Sequence, residues 1–348
     1  MKPPRRVTQQ DIARAAGVNR ATVSLALRAH ASIPVTTRTR IEKLAKKLGY
    51  QPDPMLSALA SYRHGRRPAG FRGTLGWLAH TTKELAWRDI PHFTTYLEAA
   101  SAHAATHGYR VEVIDLHDMG INWQRAAAVA KSRGIDGLLL CPQPHAATSL
   151  DQFPWQDFSA VTFGYTMIKP KLHRIASAQY AATFRTMQEL FARGYRRIGF
   201  VFNHQHDERT NHHYLAGYLT ARELHDPLAN LPPCIDDTHD PAQPVFWRWF
   251  ERHKPDAIVT GDRGFLNLLK TRNLRAPDNV GVACPGLSDL TGPLAGVCED
   301  NAQLGRIAVD YLVSMLHRGE RGVPAHPQQV LAEGIWTPGR TLRPLPSD

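Results

Sequence analysis

The sequence predicts a small, basic, all-α domain at the N-terminus, followed by a larger α/β body. Two observations support this prediction. First, residues 1–72 contain 15 of the 42 Lys and Arg but only three of the 31 Asp and Glu, so the net charge of +11 is concentrated in the first fifth of the chain. Second, short helical patterns fill that segment, whereas apolar runs alternate with helical patterns from Thr74 onward, as in parallel sheets covered by helices.

The composition excludes several classes of protein. The chain has 348 residues, enough for two or three domains, and 43% of them are apolar, which is sufficient for true cores. No apolar stretch is long enough for a transmembrane helix, and no apolar segment follows the basic N-terminus as it would in a secretory signal. The four cysteines form no Cys-x-x-Cys pair, which argues against a disulfide framework and favours a cytoplasmic location.

Three helices are predicted in the basic segment. Thr8 can cap the first helix together with Asp11, three residues on, and Gly17 ends it. A second helix over about 20–28 follows a short turn, and a third helix covers about 36–48. Two helices joined by a short turn that contains glycine form the helix-turn-helix pattern, and a basic domain of this kind indicates a polyanionic partner.

A short helix and a basic linker follow. Pro54 suits the first position of a helix over about 54–61, and Asp53 can cap it. The expected domains are therefore a helix-turn-helix domain (1–52), a short helix with a linker (53–73) and a body (74–340). The body is expected to form one subdomain from about 74–176 and 302–325, and a second subdomain from about 177–301 and 326–340.

The body is predicted to form two parallel sheets from two successive series of strands and helices. Strands of the first series are expected at TLGWLAH, VEVID, GIDGLLLCP and AVTFGY, and strands of the second series at RIGFVF, DAIVTGD and VGVAC. The helices of the second series are expected over about 180–193, 211–225, 245–253 and 263–272, with a Pro-rich break at 226–244. A last helix is expected over about 301–318.

Residues 7–60 resemble the DNA-binding head of the LacI/GalR family of transcription regulators. The resemblance rests on VT-x-x-DIA-x-x-AGV, on ATVS, on the TR-x-R start of the third helix and on LGY-x-P. The body is similar to the family more loosely, through IPHFTTYLEAASAHAATHGYRVEV, GIDGLLLCP, LFARGYRRIGFV and PDAIVTGD in the expected order. The resemblance implies a helix-turn-helix head with a hinge helix, and a periplasmic-binding-protein-like body of two parallel-sheet subdomains.

The second helix is then expected to lie in the major groove of DNA with its first side chains facing base edges. Arg20 can pair with O6 and N7 of a guanine, and a plain phosphate contact is the alternative. The same edge carries Asn19, Ala21 and Ser24. The resemblance also implies contacts to phosphates or flanking bases from Thr8, Thr22, Arg28, Thr37 and Tyr50.

The helix over 54–61 matches the hinge helix of the family. In the family, two hinge helices of a dimer insert leucines into the minor groove and kink the DNA. Leu59 falls on that leucine position. The alternative is that Leu59 packs against the body of its own chain.

Ligands of such two-subdomain folds lie beyond the carboxyl ends of the strands. The polar residues expected there are His80, Thr82, Gln143, Tyr165, Asp262 and Asp300. Asp262 matches a family position that commonly contacts the effector. Tyr214 stands where the family usually has an effector-binding arginine, and Arg209 can take the place of that arginine.

These observations predict a repressor that binds a pseudo-palindromic DNA operator as a homodimer, under the control of a small-molecule, carbohydrate-related effector. The alternative is an effector-independent or architectural DNA-binding repressor, because Tyr214, Ala178-Gln179 and the Cys284–Leu287 segment depart from the family's sugar pocket. No catalytic set, cofactor, metal or membrane partner is expected. One histidine-rich group does not have spacing that enforces a metal site: His204, His206, Asp207, His212 and His213.

Overall fold

The computed structural model describes residues 7–27, 33–48, 71–80, 86–225, 231–236 and 244–346. The chain forms two compact units, residues 1–68 and residues 69–348. The helix expected over 54–61 and most of the linker that follows it lie outside the described residues. The same holds for four of the predicted site residues: Arg28, Tyr50, Leu59 and Thr82.

The described part of the N-terminal unit contains three helices, α1 (Gln9–Ala16), α2 (Arg20–Leu27) and α3 (Val35–Lys47). Helices of 8 to 13 residues are marginal in isolation, so their packing against one another stabilises them. Their inward faces and Ile33, which precedes α3, share one small core; its helical members are Ile12, Ala13, Val23, Ala26, Ile41 and Ala45. The predicted helix-turn-helix is confirmed.

The larger unit alternates strands and helices, as the sequence predicts. Its elements in chain order are β1 (Gly73–Ala79), α4 (Pro91–Thr106), β2 (Tyr109–Asp115), α5 (Trp123–Ser132), β3 (Ile135–Leu140), β4 (Thr148–Ser149), β5 (Ser159–Phe163), β6 (Met167–Lys169), β7 (His173–Ser177), α6 (Gln179–Ala192), β8 (Ile198–Asn203), α7 (His204–Arg209), α8 (His213–His225), β9 (Cys234–Asp236), α9 (Pro244–His253), β10 (Ala257–Thr260), α10 (Phe265–Lys270), β11 (Gly281–Leu287), β12 (Ala295–Cys298), α11 (Asn301–Arg318), β13 (Gln329–Ala332) and β14 (Ile335–Thr337).

The first sheet has six parallel strands in the order β13-β7-β5-β3-β1-β2. Helices α4 and α11 cover one face, where Trp77, Tyr96 and Leu312 share a core. Helix α5 covers the opposite face through a second core that includes Ala126 and Leu138. Burial on both faces explains why the central strands of this sheet read as continuous apolar runs.

The second sheet has the order β14-β12-β11-β10-β8-β9, with only β14 antiparallel to its neighbour. Helices α6 and α8 pack on one face, where Phe200 and Tyr218 are fully buried. Helices α9 and α10 pack on the other face through Phe246 and Phe265. Two packed sheets of this kind are the α/β body that the sequence predicts.

The chain crosses between the two sheets three times: after β7, after β12, and between β13 and β14. The predicted placement of 326–340 in the second subdomain is therefore wrong for Gln329–Ala332. Strand β13 pairs with β7 of the first sheet, with Val330 beside Ile175, and only β14 joins the second sheet. Strand β13 is a half-exposed edge strand, so its sequence lacks the apolar run that marks a central strand.

Two local predictions in the second subdomain are also wrong. The helix expected over 211–225 begins at His213 and is preceded by the separate helix α7, because Asn211 and His212 adopt positive φ angles of 51° and 58° between them. The expected break at 226–244 contains strand β9, which pairs with β8 through Cys234 and Val201. Within the described part of the chain, no helix is both long and apolar enough to cross a membrane.

Candidate functional site

Helix α1 is capped at both of its ends. The side chain of Thr8 accepts a hydrogen bond from the Asp11 amide (3.4 Å), and Oδ2 of Asp11 accepts one from the Thr8 amide (2.9 Å). This is the capping box that the sequence predicts. Gly17 then ends α1 in the left-handed conformation, with φ of 65°, which a residue with a Cβ rarely adopts. Gly17 thus reverses the chain direction between α1 and α2, and the capping box fixes where α1 begins.

Helix α2 presents its predicted DNA-facing side chains outward. Asn19 caps the helix, because its Oδ1 accepts hydrogen bonds from the amide (2.7 Å) and the hydroxyl (2.8 Å) of Thr22. Arg20 and Ala21 are exposed and Ser24 is half-buried, whereas the opposite side of the helix is buried in the core of the head. The helix therefore holds Arg20 and Ala21 at its exposed N-terminal end. Asn19 and Thr22 are partly committed to capping it.

Helix α3 supplies most of the positive charge of the described head. Thr37 is half-buried near its start, and the guanidinium of Arg40 donates to the main-chain oxygen of Ala16 (3.1 Å), which ties α3 to α1. The exposed lysines of this helix are Lys43, Lys46 and Lys47. A helix pair with a basic neighbouring helix suits the phosphate backbone of DNA.

In the larger unit, Arg209 joins the two subdomains. It ends α7 of the second subdomain, and its Nη1 donates to the main-chain oxygen of Gln143 (2.6 Å) and to that of Pro144 beyond β3 of the first. Gln143 is 1% exposed, and its Nε2 donates to the Cys141 oxygen (2.7 Å). Among the residues that the structure describes, Oε1 of Gln143 is a buried acceptor without a hydrogen-bond partner. Such an atom is costly unless a ligand or water satisfies it.

An aromatic contact crosses the same cleft. Tyr165 follows β5 of the first subdomain and stacks on His213 of the second, with ring centroids 4.2 Å apart. On the first subdomain, the guanidinium carbon of Arg174 lies 4.9 Å from the centroid of the Tyr165 ring. Cation–π contact and stacking hold the Tyr165 ring in one orientation at the cleft.

Glu299 accepts two hydrogen bonds at the second crossing between the sheets. Its Oε1 accepts from the hydroxyl of Ser177 (2.5 Å) at the end of β7, and from the hydroxyl of Tyr214 (2.7 Å) on α8. Burial raises the pKa of Glu299, and the two hydrogen bonds and the charge of Arg263 oppose that rise. Burial and the neighbouring carboxylate raise the pKa of Tyr214 well above its usual value, so Tyr214 stays a hydrogen-bond donor.

His92 lies on the first turn of α4. Burial, followed by the positive charges of Arg263, His206 and Arg209, lowers its pKa to about 3. His92 is therefore a neutral imidazole near neutral pH. The three charged residues that lower its pKa all belong to the second subdomain, whereas His92 belongs to the first. His92 is therefore part of the same cleft.

Three predicted effector residues have other local roles. His80 lies at the end of β1 with its ring edge-on to Trp123 (5.6 Å), and burial lowers its pKa. Asp262 is exposed, and its Oδ1 accepts from the amide of Gly264 (2.7 Å) in the turn after β10. Asp300 caps α11 through the amide of Gln303 (2.8 Å). Of the predicted residues, Arg209 therefore contacts Gln143 across the cleft, and Tyr165 contacts the second subdomain through His213. Tyr214 bonds to Glu299 at the second crossing, whereas Asp262 and Asp300 bond within their own turns.

Residues 8–53 match the model of the lacI family of bacterial regulatory proteins, and residues 187–342 match the model of the periplasmic binding protein-like domain. The chain therefore carries a DNA-binding domain of the lacI family and a periplasmic binding protein-like domain. It is a DNA-binding transcription regulator with a helix-turn-helix head.

The chain is similar to lacI-family regulators over most of its length. The repressor CytR of Escherichia coli (strain K12) is 24% identical over 326 residues, which cover 89% of both chains. The regulator MalR of Streptococcus pneumoniae serotype 4 (strain ATCC BAA-334 / TIGR4) is 22% identical over 337 residues, 94% of this chain and 98% of MalR. These relatives are regulators and not enzymes, as expected from the sequence.

Solved structures of lacI-type regulators share the fold. The complex of the transcriptional regulator CelR with cellobiose has a TM-score of 0.60 at 19% identity, covering 97% of this chain and 100% of that one. The lac repressor dimer bound to operator and the anti-inducer ONPF has a TM-score of 0.56 at 18% identity, covering 97% and 99%.

Sequence reasoning missed three residues of the cleft, namely His92, Ser177 and Glu299. Ser177 and Glu299 both lie at the carboxyl ends of apolar strands, so their positions in the sequence were a usable signal. The prediction chose Asp300, the residue after Glu299, and Asp300 instead caps α11. His92 lies at the start of a helix, where no strand-end rule applies.

The histidine-rich group around α7 separates into individual contacts. Nδ1 of His212 pairs with Oδ2 of Asp207 (2.6 Å), and Nδ1 of His213 contacts the Thr210 oxygen (2.8 Å). His206 packs beside Phe202. These contacts lie within the second subdomain, and His213 in addition stacks on Tyr165 across the cleft.

Proposed function

We propose that this chain is a repressor that binds a pseudo-palindromic operator as a homodimer and is controlled by a small molecule bound in the cleft between its two subdomains. The head supports the DNA-binding part of the proposal. An exposed Arg20 and Ala21 at the start of α2 suit direct contact with base edges in the major groove. The basic residues of α3 suit phosphate contacts, which position the head without reading sequence.

The cleft supports the effector-binding part, and one observation carries it. The unpartnered Oε1 of Gln143 is buried beside the Arg209 bridge, at the carboxyl edge where ligands of such folds lie. An acceptor in this place is satisfied by a water molecule or by a donor such as a hydroxyl group of a ligand. Glu299 offers a second acceptor, and the neutral His92 a group that both donates and accepts.

The chemistry of these groups favours a small, hydroxyl-bearing effector that spans both subdomains. A carbohydrate-related molecule has this character, and the CelR structure similar to this chain is a complex with cellobiose. An effector regulates only if it binds the two arrangements of the subdomains with different affinities. Arg209 is positioned to report such a change, because its guanidinium bonds to the opposite subdomain.

A second function is an effector-independent repressor. It is favoured by the contacts that already close the cleft, since Arg209 is bonded to main-chain oxygens and Tyr165 stacks on His213. In that case the two subdomains are held together without any ligand.

A ligand screen separates the two functions. The purified full chain is heated with a panel of sugars, sugar phosphates and nucleosides, and ligands that raise the unfolding midpoint are added to a DNA-binding titration. Effector control predicts at least one ligand that raises the midpoint and changes operator affinity, an effect that Gln143→Leu weakens while an exposed-site control, Gln124→Leu, leaves it intact. A complete panel without such a ligand supports the effector-independent repressor.

DNA binding is tested separately by selection of sites from a random DNA pool with the full chain. The proposal predicts an enriched inverted repeat of two half-sites bound by two protomers. Enrichment of a single, asymmetric half-site bound by one protomer would contradict the dimeric part of the proposal.

A further inference from the structure

His103, His107 and Asp310 form a cluster on the first subdomain, outside the residues that form the cleft. Nε2 of His103 lies 2.8 Å from Oδ1 of Asp310, and Nε2 of His107 lies 3.1 Å from the same oxygen. The two Nε2 atoms are 3.4 Å apart. Three ligand-type atoms of three side chains therefore converge on one point between α4 and α11.

We propose that these three side chains bind a divalent transition-metal ion of the zinc type. Zinc binds imidazole nitrogens at about 2.0–2.1 Å and carboxylate oxygens at similar distances, so neighbouring ligand atoms of a tetrahedral site lie roughly 3.3 Å apart. The observed separations of 2.8, 3.1 and 3.4 Å approach one triangular face of such a tetrahedron. Two imidazoles and one carboxylate are ligands that zinc accepts, and a water molecule can complete the coordination.

The local structure presets this geometry. His103 and His107 are four residues apart at the C-terminal end of α4, so their side chains share one face of the helix. Asp310 projects from α11, which packs closely on α4. A Cβ added to Gly305 of α11 would lie 2.5 Å from the main-chain oxygen of Tyr96. Because the helices are held this tightly, the three ligands are already in place before any ion binds.

The surroundings also admit a cation. The side chains of His103, His107 and Asp310 are 25%, 35% and 56% exposed, so an ion can reach the cluster from solvent. The C-terminal end of a helix carries partial negative charge, which favours a cation there. The only change needed in the two histidines is the neutral tautomer that carries its proton on Nδ1 and leaves Nε2 free.

The position of the cluster gives the ion a role in the fold. His107 precedes Gly108, whose main-chain oxygen accepts a hydrogen bond from the amide of Arg72 (2.7 Å). Arg72 lies directly before β1, where the chain enters the body. A bound ion would join the end of α4 to α11 beside this entry point and stabilise both helices.

Isothermal titration calorimetry measures Zn²⁺ binding to the tag-free full chain. The protein is first treated with a chelator, and the chelator is then removed. The variants are His107→Gln and Asp310→Asn. The matched control is His204→Gln, which alters another exposed histidine that lies beside a carboxylate, Glu208, at 3.7 Å. Thermal unfolding without metal verifies that each variant is folded.

The proposal predicts one site per protomer with a Kd in about the micromolar range or below, and a loss of at least about 10-fold in affinity in both ligand variants. Zn²⁺ should also raise the unfolding midpoint of the wild-type chain and of His204→Gln, but not that of the ligand variants. Co²⁺ gives a second readout, because the visible absorption of a tetrahedral Co²⁺ complex should be lost in both variants. Equal Zn²⁺ affinity in wild type, His107→Gln and Asp310→Asn, or no binding to the wild type, would overturn the proposal and leave two histidines hydrogen-bonded to an aspartate.

Discussion

The paired hydroxyls at Glu299 lead to a quantitative prediction for two substitutions. In Glu299→Ala, Tyr214 (3% exposed) and Ser177 (8% exposed) both lose their acceptor. Each buried donor left without a partner costs about 1–3 kcal/mol, so the free energy of unfolding should fall by roughly 2–6 kcal/mol. Both hydrogen bonds end on the same oxygen, so the amide oxygen of Glu299→Gln can accept both. At about pH 5, that variant should stay within about 1 kcal/mol of wild type.

The stability difference between Glu299→Gln and the wild type should also depend on pH, in a direction that the structure predicts. The folded chain raises the pKa of Glu299 above its usual value of 4.5, because burial penalises the carboxylate. The stabilising contribution of the protonated form is complete below pH 4.5 and is lost as the pH rises through the folded pKa. The stability of Glu299→Gln relative to wild type should therefore increase as the pH is raised from about 4.5.

Urea unfolding of the three proteins, followed by tryptophan fluorescence at about pH 5 and about pH 8, measures both effects. The reasoning is refuted if Glu299→Ala is as stable as Glu299→Gln, since the two hydroxyls would then need no acceptor. It is also refuted if Glu299→Gln loses stability relative to wild type as the pH rises.

Three further predictions concern the head, the helix packing and the cleft. Arg20→Ala should weaken operator binding about 5- to 150-fold, because it removes a base contact worth roughly 1–3 kcal/mol, while binding to random DNA changes little. Filter-binding titrations with Arg14→Ala as the control measure this, and equal losses on both DNAs would contradict base reading. Gly305→Ala should destabilise the body by about 1–3 kcal/mol in urea unfolding, because the new Cβ would collide with the main-chain oxygen of Tyr96. A gain of about 1 kcal/mol, as expected from the higher helix propensity of alanine alone, would show that the helices can separate freely. Arg209→Gln should remove a charged hydrogen bond between the subdomains and increase the radius of gyration in small-angle scattering, whereas an unchanged radius would show that this bond does not hold them together.

Elements specified by local signals could be predicted from the sequence. The capping box of Thr8 and Asp11 and the left-handed Gly17 define α1 within ten residues, and the structure contains both. The central strands are buried on both faces, so they appear as apolar runs that need no knowledge of their neighbours. The alternation of these runs with helices was enough to predict two parallel sheets.

Elements specified by distant partners could not be predicted in this way. Strand β13 is half-exposed and has its place only because β7 lies beside it, about 150 residues earlier in the chain. Glu299 gains its importance from Ser177 and Tyr214, which are 122 and 85 positions away. Asp310 lies 207 positions from His103, so the cluster of histidines and aspartate becomes visible only when α4 and α11 pack together.

The ratio between the affinity for a selected operator and the affinity for the same duplex with both half-sites scrambled tests the central claim most directly. Both affinities are measured at the same, near-physiological salt concentration, because phosphate contacts alone vary strongly with salt. A sequence-specific regulator that reads bases through α2 should bind the operator about 10³-fold or more tightly than the scrambled duplex. Nearly equal affinities, both falling with salt, would mean that the basic head contacts only phosphates and would contradict the proposed operator recognition.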